Sequence, residues 1–542
     1  MEAFMIIKEG KSVCKGLAFG KIFIYKKSEN NVLKYKIENV SDEIARFKTA
    51  KETALSQLQS LYEKTVTDIG EDVAMIFNVH QMLLNDLNYN NSIIGIIEGE
   101  NLNAEHAVSV TGELLANMFA NTDNDYMSAR SSDIRDISER VISILNETHM
   151  NLKAMPEPVI IIAEDLTPSE TIQFSKDKLL ALVTQKGSYN SHTAILSRSM
   201  GIPSLVTTDI EVNPSYHGRT AIVDGDAGLI YIDPDMTTLT KLQEKKKLIA
   251  EQKAVLQKMK GLKTITTTGK HIHLYSNISE PQDVDAVLEN DSEGIGLFRS
   301  EFLYLQRDDF PTEEEQFEAY KTVVSRMGSK KVIIRTLDIG ADKQASYFNT
   351  PQEENPALGL RGLRICLTKK EIFKTQLRAL YRASVYGTLS IMFPMIISVS
   401  EVLKIKEIVE EAKQELDQAD IPYRNVELGI MIETPAAAII SDLLAPHVDF
   451  FSIGSNDLSQ YTLAIDRQNQ SLEKFFNPHH EAVLRLIQLT IENAHKQGIK
   501  CGICGELAAD PELTAKFVQM GIDELSVPAE YTLKLRKLIR EC

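Results

Sequence analysis

A single histidine in the stretch GSYNSHTAIL, residues 187–196, has the setting of a nucleophile. Small polar residues precede His192, and the residues after it predict the first turn of a helix, with Ser191 or Asn190 as its cap. A neutral imidazole can attack an electrophile near neutral pH, because its unperturbed pKa is about 6.5. The free amides and the positive dipole end of such a helix would favour an anionic group transferred there. We predict that His192 reacts, although a lone histidine is more often structural.

Five arginines of the second half indicate an anionic ligand: Arg299, Arg335, Arg361, Arg364 and Arg467. The first two each follow a run of apolar residues, where an unpaired charge is costly. A guanidinium binds phosphate or carboxylate through two hydrogen bonds, so several arginines on neighbouring connections predict such a ligand. The alternative is that these first two only form ion pairs with the nearby carboxylates of Glu301 and Asp338.

Two carboxylates, Glu433 and Asp457, stand at the ends of two other apolar runs in the same half. They could hold an octahedral Mg²⁺ that keeps waters and takes its other ligands from a substrate. They could also form a general acid and base pair, or serve only as ion-pair partners. With several arginines in the same half, a metal-bridged phosphoryl substrate is the better interpretation.

Eight short β-rich runs alternate with helical spacers through the second half and predict a (β/α)₈ barrel of the TIM type. The predicted strands are residues 271–277, 294–299, 332–338, 389–395, 427–433, 450–454, 499–505 and 524–527. Active sites of such barrels lie at the carboxyl ends of the strands. The arginines and carboxylates described above are expected at that end.

The first half predicts an α/β domain that is interrupted by a helical bundle. Alternating residues at 17–25 and β-branched runs from residue 159 onward indicate strands, whereas residues 37–148 have helical spacing. Residues 236–261 interleave Lys and Glu with spaced Leu and Ile, which predicts a long exposed linker helix. The predicted domains and hinges are residues 1–36 with 149–233 (α/β domain), 37–148 (helical insert), 234–263 (linker), 264–542 (barrel), and hinges near 233–235 and 260–263.

The composition of the 542 residues excludes several classes of protein. A net charge of −17 would repel nucleic acid over most of the surface and suits a basic protein partner. No apolar run approaches the roughly 18 residues of a membrane span, and the N-terminus lacks the pattern of a signal peptide, so we expect a cytoplasmic location. Five scattered cysteines predict no disulfide framework. Cys501 and Cys504 form a CxxC pair without the second pair of a zinc site, and a redox role is a minor alternative.

Several motifs together resemble one known family, enzyme I of the sugar phosphotransferase system, a phosphoenolpyruvate:protein phosphotransferase. In the second half they are LFRSEFLYLQRDDFPTEEEQFEAYK, RTLDIGADK, NPALGLRGLR, FPMI, GIMIETPAA, FFSIGSNDLSQYTLAIDR and CGICGELAADP. In the first half, AEDLTPSET and GSYNSHTAILSRSMGIPSLV resemble the phosphohistidine domain of the same family. The resemblance covers almost the whole chain in the family's order.

This resemblance implies a reaction and its partners. Phosphoenolpyruvate would bind the barrel with Mg²⁺, and His192 would take its phosphoryl group. The helical insert would bind the small phosphocarrier protein HPr, which receives the group, and the barrel would form a homodimer. Large domain rotations near the two predicted hinges would carry His192 between donor and acceptor.

The family's site residues carry over to positions of this chain. The resemblance implies that Arg299, Arg335 and Arg467 bind phosphate and carboxylate, and Arg361 matches another arginine of the barrel mouth. It further implies that Glu433 and Asp457 bind the metal and that Asn456 binds a phosphate oxygen. Cys504 would protonate the enolate to give pyruvate. A thiol with a reference pKa of about 8.5 can donate at pH 7, although Cys504 could also be only a small buried apolar residue.

The chain also departs from the family's pattern. Ser188 and Asn190 stand where a glycine and a threonine are common, and Ala341 replaces a usual glycine. The sequence stops soon after the eighth predicted strand, which puts the strength of the expected dimer in doubt. Two other interpretations are a relative of pyruvate phosphate dikinase or phosphoenolpyruvate synthase, for which no nucleotide-binding segment is present, and a non-catalytic docking protein.

Overall fold

The computed structural model describes residues 5–26, 32–68, 70–120, 125–147, 157–174, 176–187, 192–305, 307, 309–340, 346–348, 353–467, 469–472 and 474–542. The chain forms two compact units, Met1–Ile249 and Ala250–Cys542. Every helix within the described residues is too short or too polar to cross a bilayer.

An eight-stranded mixed sheet organises the first unit. Its strands are β1 (Ile6–Glu9), β2 (Lys11–Cys14), β3 (Leu17–Tyr25), β4 (Val159–Ala163), β5 (Leu179–Thr184), β6 (Ser204–Val206), β7 (Thr220–Asp224) and β8 (Leu229–Ile232). They lie in the order β1-β8-β7-β3-β4-β5-β6-β2, in which β3 to β6 are parallel and the outer pairings are antiparallel. The sequence from β3 to β4 leaves the sheet and forms the helical bundle.

Within the described residues of this unit, eight helices accompany the sheet. They are α1 (Val40–Asp68), α2 (Glu71–Asn85), α3 (Leu87–Glu100), α4 (Ala104–Ala120), α5 (Asp125–Leu145), α6 (Pro168–Gln173), α7 (His192–Met200) and α8 (Met236–Gln257). The first five lie within residues 37–148 and form a helical bundle, and α8 covers most of residues 236–261, for which the sequence predicts a linker helix. Leu242 is the buried residue of α8, and Lys245 on the same helix pairs with Asp224 at 2.7 Å.

The central strand β4 shows why its sequence, VIIIA, is apolar throughout. Side chains alternate between the two faces of a strand. Ile161 packs with the core that includes the helical bundle, whereas its neighbours Ile160 and Ile162 pack into a second core on the other face of the sheet. A strand covered on both faces needs no polar residue, so β4 has none.

A closed parallel barrel forms the second unit, which confirms the predicted fold. Its strands are β9 (His273–Ile278), β10 (Ile295–Arg299), β11 (Lys331–Arg335), β12 (Thr388–Phe393), β13 (Glu427–Ile432), β14 (Phe450–Gly454), β15 (Lys500–Cys504) and β16 (Glu524–Val527). The strands follow one another in chain order, and β16 closes on β9. The bounds of β14 and β16 agree with the prediction at both ends, and the other six differ by a few residues.

Twelve helices accompany the barrel in the part of this unit that the structure describes. They are α9 (Val284–Glu289), α10 (Glu313–Met327), α11 (Leu363–Thr368), α12 (Lys370–Ala383), α13 (Val399–Gln418), α14 (Pro435–Ile439), α15 (Ser441–Leu444), α16 (Ser455–Leu463), α17 (Glu481–Lys496), α18 (Glu506–Ala509), α19 (Pro511–Met520) and α20 (Thr532–Glu541). A large apolar core includes side chains from strands and helices, and each member of a smaller cluster lies on a strand: Leu297, Ile333, Met392, Met431, Phe450 and Cys504. The polar site begins where this smaller cluster ends.

Candidate active site

The helix α7 begins at His192, as the sequence predicts. It follows β5, and α6 follows the parallel neighbour β4, so both helices start from the same edge of the sheet. The hydroxyl of Thr193 donates a 2.6 Å hydrogen bond to the carbonyl oxygen of Leu166 and ties the start of α7 to the segment before α6. The side chain of His192 and residues 188–191, with Ser188, Asn190 and Ser191, lie outside the described part of the chain.

The neighbouring helix α6 is held in place by its own cap. Thr167 and Glu170 form a capping box, and Pro168 stands at the first helical position. The hydroxyl of Tyr25 donates a 2.7 Å hydrogen bond to Glu170, and burial, followed by the nearby Glu170 charge, raises the pKa of that hydroxyl. These hydrogen bonds therefore fix α6 at the edge of the sheet from which α7 also starts.

A cavity of about 1230 Å³ opens at the carboxyl ends of the barrel strands. All eight residues predicted for a barrel site line it: Arg299, Arg335, Arg361, Glu433, Asn456, Asp457, Arg467 and Cys504. Arg364 does not line the cavity, and its guanidinium instead donates to the carbonyl oxygens of Leu358 and Gly359 at 2.8 and 2.7 Å. Arg299 and Cys504, which are 205 positions apart in the sequence, thus line the same cavity.

Arg335 and Arg361 are buried and share one carboxylate partner. Nη1 of Arg335 lies 2.9 Å from Asp338, and its Nη2 donates to Glu301. Nη2 of Arg361 lies 3.2 Å from Asp338 and 3.4 Å from Asp457. Arg335 therefore forms the local ion pair with Asp338 that the alternative describes.

This network still leaves donors without partners. The Nε atoms of Arg335 and Arg361 are buried and make no hydrogen bond within the described residues. Nη1 of Arg361 donates to the hydroxyl of Tyr461 at 3.0 Å, and that hydroxyl donates to the carbonyl oxygen of Ala357. The guanidinium of Arg361 is thus held from a loop that follows β11 and a helix that follows β14.

Arg299 and Arg467 differ from the buried pair because both are exposed. Neither guanidinium has an ion pair or hydrogen bond within the described residues. The alternative, a local pairing of Arg299 with Glu301, is not found within the described residues, where Glu301 pairs with Arg335. Two cations thus line the cavity without a local carboxylate to neutralise them.

Glu433 lies buried at the end of β13 and receives a backbone hydrogen bond. The amide of Met395 donates to its Oε1 at 2.6 Å, and Met395 itself has a positive φ of 59°. Non-glycine residues in this region carry strain and concentrate at functional sites. Burial, followed by repulsion from Asp338 and Asp457, raises the pKa of Glu433, although both buried arginines oppose the rise.

The chemistry of Glu433 and Asp457 fits a divalent cation. Both carboxylates line the same cavity, and each raises the electrostatic cost of the other's charge. Hard oxygen ligands in this number are typical of a magnesium site that completes its shell with waters and substrate. A bound cation would relieve the repulsion between these two carboxylates.

Cys504 combines burial with a place in the cavity wall. Burial, only partly opposed by Arg335, raises the pKa of the thiol to about 11. The thiol is therefore protonated at neutral pH and able to donate. Cys501, on the same strand, is also a free thiol, and residues three apart on a strand face opposite sides. This geometry excludes the redox pair.

Asn456 lies beside a backbone that only glycine allows. Its Oδ1 accepts a 2.9 Å hydrogen bond from the amide of Glu506. Gly505 has a φ of 91°, and a Cβ there would lie 2.4 Å from the hydroxyl of Ser455 and 2.7 Å from Asn456 Oδ1. The β14 and β15 loops can therefore approach each other closely, which orients Asn456.

Sequence reasoning missed three supporting residues of the cavity. Asp338 was considered only as a local partner of an arginine, yet it bridges two of them. Tyr461 and Met395 lie within the motifs FFSIGSNDLSQYTLAIDR and FPMI, but the motifs did not predict these roles for them. Their roles depend on hydrogen bonds over 100 and 38 residues of sequence, which no local pattern reveals.

His80 lies in helix α2 of the helical bundle. Its side chain is completely buried, 3.4 Å from Asp133 and 3.7 Å from Asp136. A contact of this imidazole with a protein partner at the surface is therefore excluded.

Comparisons with known proteins identify the family of this chain. Three family models match the chain, described as PEP-utilising enzyme, N-terminal (residues 9–130), mobile domain (155–228) and PEP-binding domain (234–542). Two relatives are each called phosphoenolpyruvate-protein phosphotransferase. The protein of Priestia megaterium is 44% identical over 98% of this chain and 93% of its own length. The protein of Bacillus subtilis is 42% identical over 98% and 94%.

A solution structure of Enzyme I covers 45% of this chain and 99% of its own, with 32% identity and a TM-score of 0.40. The PEP-binding model alone spans more than half of the chain, and the two relatives span nearly all of it. The chain therefore belongs to the PEP-utilising enzymes, in the family of phosphoenolpyruvate-protein phosphotransferases.

Proposed function

We propose that this chain transfers the phosphoryl group of phosphoenolpyruvate to His192 and then to a histidine of the carrier protein HPr, releasing pyruvate. This is the first step of the sugar phosphotransferase system. The observation that carries the proposal is a cavity in which two unpaired arginines, two carboxylates and a protonated thiol meet. A substrate with a phosphate, a carboxylate and a carbon that must be protonated uses each of these groups.

The arginines act in two ways in this proposal. Arg299 and Arg467 are free to bind the phosphate and carboxylate of the substrate, because no described carboxylate neutralises them. Arg335 and Arg361 are fixed by Asp338, so their charge is in position before the substrate arrives. Pre-positioned charge stabilises the phosphoryl group during an in-line transfer without reorganisation. Asn456 would donate its amide to a phosphate oxygen.

Glu433 and Asp457 would hold Mg²⁺ in this proposal. The ion, when bound, neutralises phosphate charge and links the substrate to the barrel. The family uses a divalent metal, and the choice of Mg²⁺ rests on the hard oxygen ligands described above. The amide of Met395 keeps the Glu433 side chain oriented whether or not an ion is present.

Cys504 supplies the proton that completes the reaction. Breaking the phosphorus–oxygen bond leaves an enolate, while a phosphorus–nitrogen bond forms at His192. The thiol gives its proton to the methylene carbon, which yields pyruvate, and solvent later restores the thiol. Its raised pKa keeps the proton on sulfur until the enolate appears.

The helical bundle would bind HPr. Large apolar side chains on three of its helices are exposed: Met82 and Leu87 at 73% and 74%, and Leu114 and Met118 at 59% each. Exposed apolar groups of this size are typical of a protein-binding surface. The net charge of −17 favours a basic partner. His192 must visit both the barrel and this partner, and residues 233–235 and 260–263 are the proposed hinges.

We also propose a homodimer that forms through the barrel unit, as the sequence resemblance implies. Ile439 and Leu443, on the consecutive helices α14 and α15, are 61% and 56% exposed and support an apolar contact there. Light scattering of the purified chain tests this proposal, and an Ile439→Glu variant should shift the mass toward the monomer. An unchanged mass in that variant would place the contact elsewhere.

The function is tested by adding phosphoenolpyruvate, Mg²⁺ and HPr to the purified chain and measuring phosphorylated HPr and pyruvate together. We expect equal amounts of both products, and neither with His192→Ala. A nucleotide requirement would favour a dikinase or synthase instead. Binding of HPr without phosphorylation of either protein would favour a docking function.

A further inference from the structure

A second cluster of metal-ligating side chains lies at the other end of the barrel. His271 precedes β9, His273 is the first residue of β9, and Glu293 lies just before the adjacent strand β10. The amino ends of barrel strands face away from the mouth that carries the catalytic groups. This His-Glu cluster, defined as His271, His273 and Glu293, is therefore separate from the proposed active site.

Both imidazoles converge on one carboxylate oxygen. Oε2 of Glu293 lies 3.0 Å from Nε2 of His271 and 3.8 Å from Nδ1 of His273. One ligand atom from each of the three residues falls within 4.8 Å of the others. Ligand atoms around a tetrahedral Zn²⁺ are roughly 3.3 Å apart, because the metal bonds are about 2.0 to 2.1 Å long. Small side-chain rotations would bring the three atoms onto such an ion.

A hydrogen bond from Thr264 orients the carboxylate of Glu293. The hydroxyl of Thr264 donates a 2.5 Å hydrogen bond to Oε1, which leaves Oε2 toward the imidazoles. A ligand that is charged and held by an outer hydrogen bond is typical of metal sites.

We propose that the His-Glu cluster binds a transition-metal ion of the Zn²⁺ class, with water as a fourth ligand. Two histidines, one glutamate and a water make a known zinc coordination set. Imidazole nitrogens favour zinc and related ions, whereas Mg²⁺ requires oxygen ligands, so the two ends of the barrel take different metals. Binding links the starts of β9 and β10 and stabilises the barrel against unfolding.

A neighbouring cation, Lys500, lowers the affinity of the cluster for a metal ion through its charge. Nζ of Lys500 lies 3.3 Å from Nε2 of His273. Lys500 also attracts the carboxylate of Glu524 electrostatically. Oε1 of Glu524 is buried and has no hydrogen-bond partner within the described residues. The ammonium can therefore turn toward Glu524 when the metal binds, but its charge weakens binding. Removing that charge should tighten the site.

The test is calorimetric titration of the full-length chain with Zn²⁺ in the presence of saturating Mg²⁺. We expect one Zn²⁺ site that is at least about tenfold weaker in His271→Asn and His273→Gln. Lys500→Met should bind Zn²⁺ more tightly than the wild type. The site should persist in Glu433→Gln, which alters the carboxylates of the barrel mouth.

His495→Asn is the matched control. His495 pairs with Asp523 at 2.8 Å and its side chain is 39% exposed, close to the 40% of His271, but no second imidazole accompanies it. Zn²⁺ should raise the thermal unfolding temperature of the wild type and of this control, but not that of His271→Asn. Equal Zn²⁺ affinity in wild type, control and His271→Asn, or loss of the site in Glu433→Gln alone, would overturn the proposal.

Discussion

The two ends of the barrel both carry dense charge, yet they satisfy it differently. At the amino end, charges pair with one another, as do Lys331 and Glu427, which lie 2.5 Å apart. At the carboxyl end, Arg299 and Arg467 face a large cavity without a described partner. The difference teaches that unpaired donors beside a cavity, rather than the number of charges, mark the place where an anion binds.

The largest effect is expected from the two cysteines of β15. Cys504→Ala should lower pyruvate formation by about 10² to 10⁴, because the proposed proton donor is lost. Cys501→Ala is the matched control, since this residue is equally a buried thiol on the same strand but does not line the cavity. Steady-state assays of pyruvate release measure both variants. Similar losses in both would mean that packing, rather than proton donation, explains the effect.

The next largest effect is expected on kcat/KM, when two cations at opposite ends of the barrel are removed in turn. Arg299→Ala should lower kcat/KM for phosphoenolpyruvate by about 10² to 10³, because a donor to the substrate's charge is removed. Lys331→Ala should leave kcat/KM unchanged, because Lys331 is paired at the amino end. Initial rates over a range of phosphoenolpyruvate concentrations measure the effect. If kcat/KM fell as much in Lys331→Ala as in Arg299→Ala, the claim that only the carboxyl end of the barrel binds the substrate's charge would be contradicted.

Glu433 gives a pH-dependent prediction about stability. Its pKa is raised to about 8 by burial and by neighbouring carboxylates, so the folded chain binds a proton that the unfolded chain releases above about pH 4.5. The metal-free wild type should therefore lose stability as the pH rises from about 5 to 8. Glu433→Gln lacks this loss and keeps an oxygen for the amide of Met395, so it should be more stable than wild type at pH 8.

The difference at pH 8 should be a few kcal/mol and should shrink toward pH 5. Urea unfolding of both metal-free proteins at several pH values measures it. Saturating Mg²⁺ should stabilise the wild type but not the variant. A wild type that is more stable than Glu433→Gln at pH 8 without metal would contradict the assigned electrostatics.

The smallest effect is expected from the ion pair at the amino end. Lys331→Met should change the free energy of unfolding by only about 0 to 1 kcal/mol, because its partner Glu427 is 56% exposed and solvent screens the pair. Urea unfolding at neutral pH and moderate salt measures this change. A loss several times larger would mean that the amino-end charges support the barrel more than their exposure indicates.

The barrel could be predicted from the sequence because its signals are local. Short β-rich runs end at turn residues and alternate with helical spacers, so the strands were found within a few residues of their ends. The order of the first sheet could not be predicted in the same way. Its outer strands β1, β2 and β8 are short, and they pair with partners far along the chain.

The site was predicted as a set of residues, whereas their pairing was not. Strand-end positions place Arg299, Glu433 and Cys504 at one edge of a barrel, since parallel strands share their carboxyl ends. Whether an arginine is paired or free depends on side-chain contacts across the barrel. The sharing of Asp338 by two guanidinium groups, and the positive φ of Met395, follow from tertiary packing alone.

The most direct test of the account locates the phosphoryl group itself. The full-length chain is incubated with labelled phosphoenolpyruvate and Mg²⁺, and the label is mapped by mass spectrometry under alkaline conditions that preserve phosphohistidine. We predict one acid-labile phosphoryl group at His192, absent in His192→Ala and formed far more slowly in Arg299→Ala. Label at another residue, or none in the intact wild type, would contradict the central claim.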